Sequence, residues 1–184
     1  MQTICLSTPL SDEALRTLKA GDKVLISGTI YTARDAAHKR LVDLLERGDQ
    51  LPVELQGQII YYSGPTPPKP GMVIGSAGPT SSYRMDPYTP KLIENGLKGM
   101  IGKGPRGNEV ISAIKKHKAA YFAATGGVAA LLSRTVKACQ VVAYEDLGTE
   151  AIHKLEVEGF PAIVINDIEG NDLYRDGKEK YQDR

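Results

Sequence analysis

Leu97-Lys-Gly-Met-Ile-Gly-Lys-Gly-Pro-Arg-Gly-Asn-Glu-Val-Ile-Ser-Ala-Ile-Lys-Lys-His117 holds, in order, a short apolar run, a glycine-rich turn with cations, and apolar residues at helical spacing. Leu97 to Ile101 is expected as a strand, Gly102 to Gly107 as a turn at its carboxyl end, and Glu109 to His117 as a helix. The same parts recur on both sides. Downstream, Tyr121-Phe-Ala-Ala124 predicts a strand and Thr125 to Ser133 a glycine-opened helix. Upstream, Met72-Val-Ile74 predicts the end of a strand, Gly75-Ser-Ala-Gly-Pro-Thr-Ser-Ser-Tyr-Arg-Met-Asp86 a polar loop, and Tyr88 to Asn95 a helix. Earlier still, the β-branched run Val24 to Tyr31 predicts a buried strand. It leads through Thr32 to His38 into a helix reaching Glu46, striped by Ala37, Leu41, Leu44 and Leu45. Strand, polar glycine loop, helix, repeated, argues for an α/β class with a mainly parallel sheet whose loops gather at the carboxyl ends of the strands.

The rest of the chain fits around these units. Gln2 to Leu6 is a weak first strand, Ser11 to Lys19 a capped helix stopping at Gly21, and Gly57 to Tyr62 another strand. Gly64 to Pro70, with four prolines in the six residues from Pro65, is either a rigid ordered loop or a flap. Gln140 to Tyr144 predicts a strand, Gly148 to Glu158 is mixed, and Phe160 to Asn166 is a last strong strand. The carboxylates Glu145, Asp146, Glu150, Glu156 and Glu158 read as a solvated face, and a polar tail starts at about residue 172. At 184 residues, with 41% hydrophobic and 24% charged content, residues 1–184 are expected as one globular domain. A net charge of +1 gives no reason to expect nucleic acid or membrane partners. No apolar run reaches membrane length and no signal peptide is evident, so a cytoplasmic location is expected. Cys5 and Cys139, far apart, read as small core residues.

Several chemistries lack their residues. Gly102 to Gly107 misses the spacing of a nucleotide phosphate loop, no Gly-x-Ser-x-Gly elbow is present, and His38, His117 and His153 are scattered without metal spacing. What stands out is anion chemistry. The glycines, proline and hydroxyls of Gly75 to Asp86 leave backbone N–H groups free to converge on an anion, and Arg84 adds a forked cation. A plain strand-to-helix turn with a capping serine is the alternative. Asp35 suits the first turn of its helix. Arg34 does not, because a cation is disfavoured at a helix N-terminus unless an anion joins it; a solvated arginine is the alternative.

Gly28-Thr-Ile-Tyr-Thr-Ala-Arg-Asp-Ala-Ala-His-Lys-Arg40, Tyr61-Tyr-Ser-Gly-Pro65, the whole of Gly75 to Asp86, Gly102-Lys-Gly104, Tyr144-Glu-Asp-Leu-Gly148, Glu150-Ala-Ile152 and Glu156-Val-Glu-Gly-Phe-Pro-Ala162 resemble the C-terminal half of class I fumarate hydratases. The resemblance covers nearly the whole chain and implies the β subunit of a two-subunit fumarase or of the similar L-tartrate dehydratase. It implies a swivelling β/β/α three-layer domain, reversible hydration of fumarate to malate, and a 4Fe-4S cluster held by three cysteines of a partner α subunit, with none bound by this chain alone. The partners implied are that α subunit, in a hetero-oligomer, and a small dicarboxylate. Carried over by motif, Arg34, Arg84 and Lys103 would bind substrate carboxylates and Thr80 would take part in proton abstraction, with Asp35, His38, Gly78 and Asp86 supporting them. Pro105 stands where the family often has asparagine, which weakens any role for Arg106. Arg84-Met-Asp86 and the Ala-Ala before His38 lean toward fumarase over tartrate dehydratase, and a non-catalytic anion-binding module is the reading of another class.

Overall fold

The structure, a computed structural model, describes residues 3–182. Strand β1 (Thr3–Ser7) leads to helix α1 (Asp12–Thr17), whose cap Ser11 accepts the Ala14 N–H at 3.2 Å. The expected start of β1 at Gln2 lies outside the described residues. Strand β2 (Lys23–Thr32) feeds α2 (Asp35–Arg47), which ends where Gly48 turns left-handed at φ 73°. Then come β3 (Ile59–Tyr61), a 3-10 turn (Ser82–Met85), α3 (Thr89–Glu94), β4 (Gly99–Gly102), α4 (Asn108–His117) and β5 (Ala120–Ala123). The chain continues through α5 (Ala129–Leu132), β6 (Val136–Ala143), a 3-10 segment (Glu145–Glu150), β7 (Ile152–Asn166) and α6 (Leu173–Tyr181).

The fold is mixed α/β, with one sheet that is mostly parallel. Strands β1 to β5 pair in chain order, each parallel to the next. The long strand β7 runs against them, antiparallel to β5, β6 and β2. Its pairing with both β2 and β5 closes the cycle β2–β3–β4–β5–β7. The bend this needs falls at a bulge between Ile26 and Gly28 of β2. There Gly28 (φ 107°) and Gly159 (φ 63°) take conformations open to glycine, and the Gly159 N–H donates to Ser27 Oγ at 3.0 Å.

Side-chain alternation divides the interior in two. Ile59, Tyr61, Ile101, Ala120, Phe122, Leu155, Val157 and Phe160 join a core with Val24, Ile26 and Ile30. Their neighbours Ile60, Tyr62, Met100 and Tyr121 face the other way, against Ala37 and Leu41 of α2, Leu92 and Ile93 of α3, and Val110 and Ile114 of α4. These helices cover one side of the sheet and leave the strand ends to the loops.

Four sequence expectations change. Gly148 to Glu158 is not a mixed segment followed by a separate strand: β7 already begins at Ile152. Met72-Val-Ile74 forms no strand, for Met72 and Val73 are 53% and 47% exposed and only Ile74 is buried. The helix expected over Thr125 to Ser133 is only Ala129–Leu132, the two glycines being left in the approach. Cys5 is exposed, not a core residue, and Cys139 is half-buried. The proline-rich segment has no regular structure, and its ends are clasped. Thr66 exchanges backbone hydrogen bonds with Ser76 and Gly75 (3.0 and 3.1 Å), and its Oγ1 accepts the Ser76 N–H at 2.8 Å. The polar tail is helical, capped by the Asp172 carboxylate. Among the described residues no helix is long and apolar enough to cross a membrane.

Candidate functional site

The loops after β2, β3 and β4 lie side by side, because these strands are parallel neighbours. Leaving β2, the Ala33 N–H donates to Tyr61 O at 3.2 Å, and Arg34 then caps α2 in an extended conformation without a side-chain cap. Leaving β3, Tyr62 O accepts the Thr80 N–H at 2.8 Å and Ser63 Oγ donates to Gly78 O at 2.9 Å. Leaving β4, the Lys103 N–H donates to Thr80 O at 3.2 Å and Lys103 O accepts the Ser82 N–H at 2.9 Å. The Gly75 to Asp86 loop is thus stitched along the carboxyl ends of β3 and β4, with the backbone of Thr80 between them. Gly78 is close-packed there, since a Cβ would stand 3.1 Å from Ala129 Cβ.

The charged groups follow from this frame. Arg34 Nη2 is 3.3 Å from Glu150 Oε1, both side chains about a quarter exposed at 23% and 28%. Glu150, read from sequence as part of a solvated face, is therefore the anion that relieves the cation at the start of α2. Asp35 holds Arg84 with both oxygens, at 3.0 Å from Nε and 2.8 Å from Nη2, and so ties the first turn of α2 to the 3-10 turn. Lys103 is exposed, and among the described residues no carboxylate pairs with it. Thr80 is half-exposed.

His38 sits behind these groups, fully buried. Its Nδ1 lies 2.9 Å from Arg34 O, which places the proton on Nδ1, and its Nε2 is buried with no partner among the described residues. Burial pushes its pKa down to about 4, a fall that the Arg34 carbonyl opposes and the nearby Arg106 cation assists. His38 is therefore a neutral packing and hydrogen-bonding group against Tyr62, ring centroids 5.2 Å apart.

Sequence reasoning discounted Arg106, and the structure makes it the centre of a buried web. Its Nε donates to Asp86 Oδ1 at 2.7 Å, and the Gly107 N–H donates to Asp86 Oδ2 at 2.7 Å. The only signal available in the sequence was an arginine inside a glycine-rich turn at the end of a strand.

The structure brings Arg34, Asp35, Gly78, Thr80, Arg84, Asp86 and Lys103 to one end of the parallel strands, with His38 beneath. A separate cavity of ≈ 260 Å³ lies under Pro65 to Pro68, lined also by Val73, Ile74, Cys139 and His153; none of the three cations or Thr80 lines it. Among the described residues no group of three or more His, Cys, Asp or Glu could hold a metal ion. Cys5 and Cys139 lie on β1 and β6, the two ends of the sheet order. The expectation that the Gly75 to Asp86 amides are free to converge on an anion changes: those of Gly75, Ser76, Ala77, Thr80, Ser82 and Asp86 are all taken up by partners within the chain. What the loop cluster offers an anion is the two ion-paired arginines, the exposed Lys103 and the Thr80 hydroxyl.

Comparison with known proteins bears on the family of the chain. The family model described as "Fumarase C-terminus" matches residues 1–177. The aerobic class I fumarate hydratase of Salmonella typhimurium is 38% identical over 174 residues, covering 92% of this chain and 30% of that protein. Fumarate hydratase 2 of Leishmania major is 37% identical over 164 residues, covering 88% of this chain and 29% of that protein. A Methanocaldococcus jannaschii protein provisionally named L(+)-tartrate dehydratase subunit beta is 36% identical over 181 residues, covering 95% of this chain and 93% of its own length. The chain thus spans about a third of the fumarate hydratases it matches and nearly all of the subunit. With its motifs at one end of the parallel strands and a family match over nearly its full length, the chain belongs to the fumarase C-terminal family.

Proposed function

We propose that this chain is the β subunit of a two-subunit class I fumarate hydratase, supplying the carboxylate-binding half of a site completed by an α partner. The observation that carries the reading is the stitching of Thr80 between the ends of β3 and β4, with Lys103 bonded to it and Arg34 and Arg84 on the adjoining loops. The near-complete coverage of a named β subunit supports the two-chain organisation. The two cores, one under α2 to α4 and one within the strand cycle, support the swivelling β/β/α arrangement that the resemblance implies.

A C–H beside a carboxylate is weakly acidic, and removing its proton builds a dianionic aci-carboxylate. Arg34, Arg84 and Lys103 would hold both carboxylates and stabilise that charge as it develops. Thr80 Oγ would accept the proton in the dehydration direction, after a partner carboxylate has taken its own proton, since threonine is a poor base alone. The electron pair of the broken C–H bond becomes the double bond as hydroxide leaves the neighbouring carbon, and hydration returns the proton by the same path. The 4Fe-4S cluster that the resemblance assigns to the α partner does not fit this chain's own residues, whose two cysteines lie on β1 and β6 at the two ends of the sheet order.

The test is to assemble the chain anaerobically with a cluster-loaded α partner and follow fumarate and tartrate side by side. Hydration of fumarate is expected, and Arg84→Ala should lower kcat/KM at least about tenfold, the value of one charge-assisted contact of roughly 1.5–3 kcal/mol. Undiminished turnover in that variant removes Arg84 from the site. The likeness to the tartrate dehydratase subunit favours a second reading, and preferential dehydration of tartrate would establish it in place of the first.

A further inference from the structure

The side chain of Arg106 is wholly shielded, at 0% exposed, although guanidinium keeps its charge at any ordinary pH. Its three nitrogens serve three acceptors: Asp86 Oδ1 at 2.7 Å, Tyr62 Oη at 3.1 Å and Thr89 Oγ1 at 2.8 Å. It also lies over the rings of Tyr62 and Tyr121, 5.2 and 5.0 Å from their centroids. Tyr121 Oη extends the web by donating to Gly104 O at 2.8 Å and lying 2.9 Å from Ser82 Oγ. Apart from Thr89, the residues so held lie within two positions of a member of the loop cluster or bond to one. Asp86 and Ser82 flank Arg84, Gly104 follows Lys103, and Tyr62 carries the carbonyl that fixes the Thr80 N–H.

A buried ion pair is weak evidence for stability, because an apolar side chain of similar volume often serves as well. What an apolar side chain cannot do is bond three directions at once. An ammonium, a single point charge, cannot reproduce the planar fork either.

Resting on the functional reading above, we propose that Arg106 is a positioning residue: its fork sets the separation between the Arg84 turn and the Lys103–Gly104 loop, so that both cations bear on one dianion. It touches no substrate and acts through Asp86, Tyr62 and Tyr121.

Arg106→Lys keeps the charge and loses the fork, and two measurements read it. The first is amide hydrogen exchange on the chain. Exchange should accelerate at least tenfold at Ser82, Lys103 and Gly107, with the amides of β2 and β4 unchanged; no change, or uniform acceleration including the strands, overturns the proposal. The second is kinetics with the α partner. The KM for fumarate should rise about tenfold or more, as expected for groups displaced by a fraction of an ångström to an ångström. A fall in kcat at constant KM, the mark of a smaller folded fraction, also overturns it. If the lysine variant does not fold, Arg106→Gln, with an amide donor and no charge, is read in the same way. Lys103→Ala separates the two levels of argument. Should it leave the fumarate KM unchanged, the functional reading falls and the exchange experiment still decides the positioning role; should it raise KM while Arg106→Lys does not, the positioning role alone falls.

Discussion

Gly102→Ala probes how tightly the site is built on its frame. Gly102 is the last residue of β4, buried, and directly precedes Lys103. A Cβ there would collide with Ser82 Oγ and stand 2.9 Å from Tyr62 Cδ2 and 3.3 Å from Ser82 Cβ. Tyr62 cannot yield, because its ring packs against His38 and its hydroxyl accepts from Arg106. Ser82 must move, which breaks its 2.9 Å bond with Tyr121 Oη. Overpacking of this kind costs about 1–3 kcal/mol, and a lost buried hydrogen bond adds roughly 0.5–1.5 kcal/mol. The gain from replacing glycine, about 0.4–1 kcal/mol in unfolded-chain entropy, offsets a part. The net expectation is a destabilisation of about 2–3 kcal/mol, or roughly 4–12 °C in Tm for a chain of this size. Urea unfolding with a constant slope measures it. Adding Ser82→Ala removes the colliding oxygen and should recover about 1 kcal/mol, a coupling visible in a double-mutant cycle. A single-variant loss below about 0.5 kcal/mol would refute the packing argument, for it would mean that the end of β4 and the turn beside it are not in contact.

Asp86→Ala leaves the Arg106 guanidinium buried without its counter-charge and should cost about 3–5 kcal/mol by denaturant unfolding, whereas Asp146→Ala in the exposed pair with Arg40 should leave the unfolding midpoint almost unmoved. His38, with its folded pKa pushed down to about 4, binds a proton more readily in the unfolded chain. Its contribution is therefore complete above the unfolded value of about 6.5 and is lost as pH falls toward 4, with a slope of at most about 1.4 kcal/mol per pH unit. His38→Gln should lack that slope between those pH values, seen as a difference between the two stability profiles; parallel profiles would show that His38 does not titrate in this way. Lys103→Ala should lower kcat/KM for fumarate at least about tenfold with Tm within about 1 °C of the parent, because Lys103 is exposed and no carboxylate pairs with it among the described residues.

The β-branched run Val24 to Tyr31 and the glycine turn between Leu97 and His117 were enough to read parallel strands with loops at one end, because residue pattern and turn chemistry are local. Arg84 stood out by the residue types of its loop and Arg34 by its place at a helix start, whereas Thr80 and Lys103 were named only through the family resemblance. The second half of β7 was read as a strand and the first half was not. Gly159 interrupts the alternation, and only the matching bulge beside Gly28 of β2, 127 to 132 residues away along the contacts from Glu156 to Thr29 and Gly159 to Ser27, makes the two halves continuous. Glu150 and Arg106 were misjudged on similar grounds. Whether a charge is solvated or buried depends on its partners, and those of Arg106 stand 17 to 44 residues away in other loops. The order of strands, loops and helices is thus decided by local sequence, whereas the closure of the sheet and the desolvation of its charges depend on contacts that exist only after the chain has brought distant residues together.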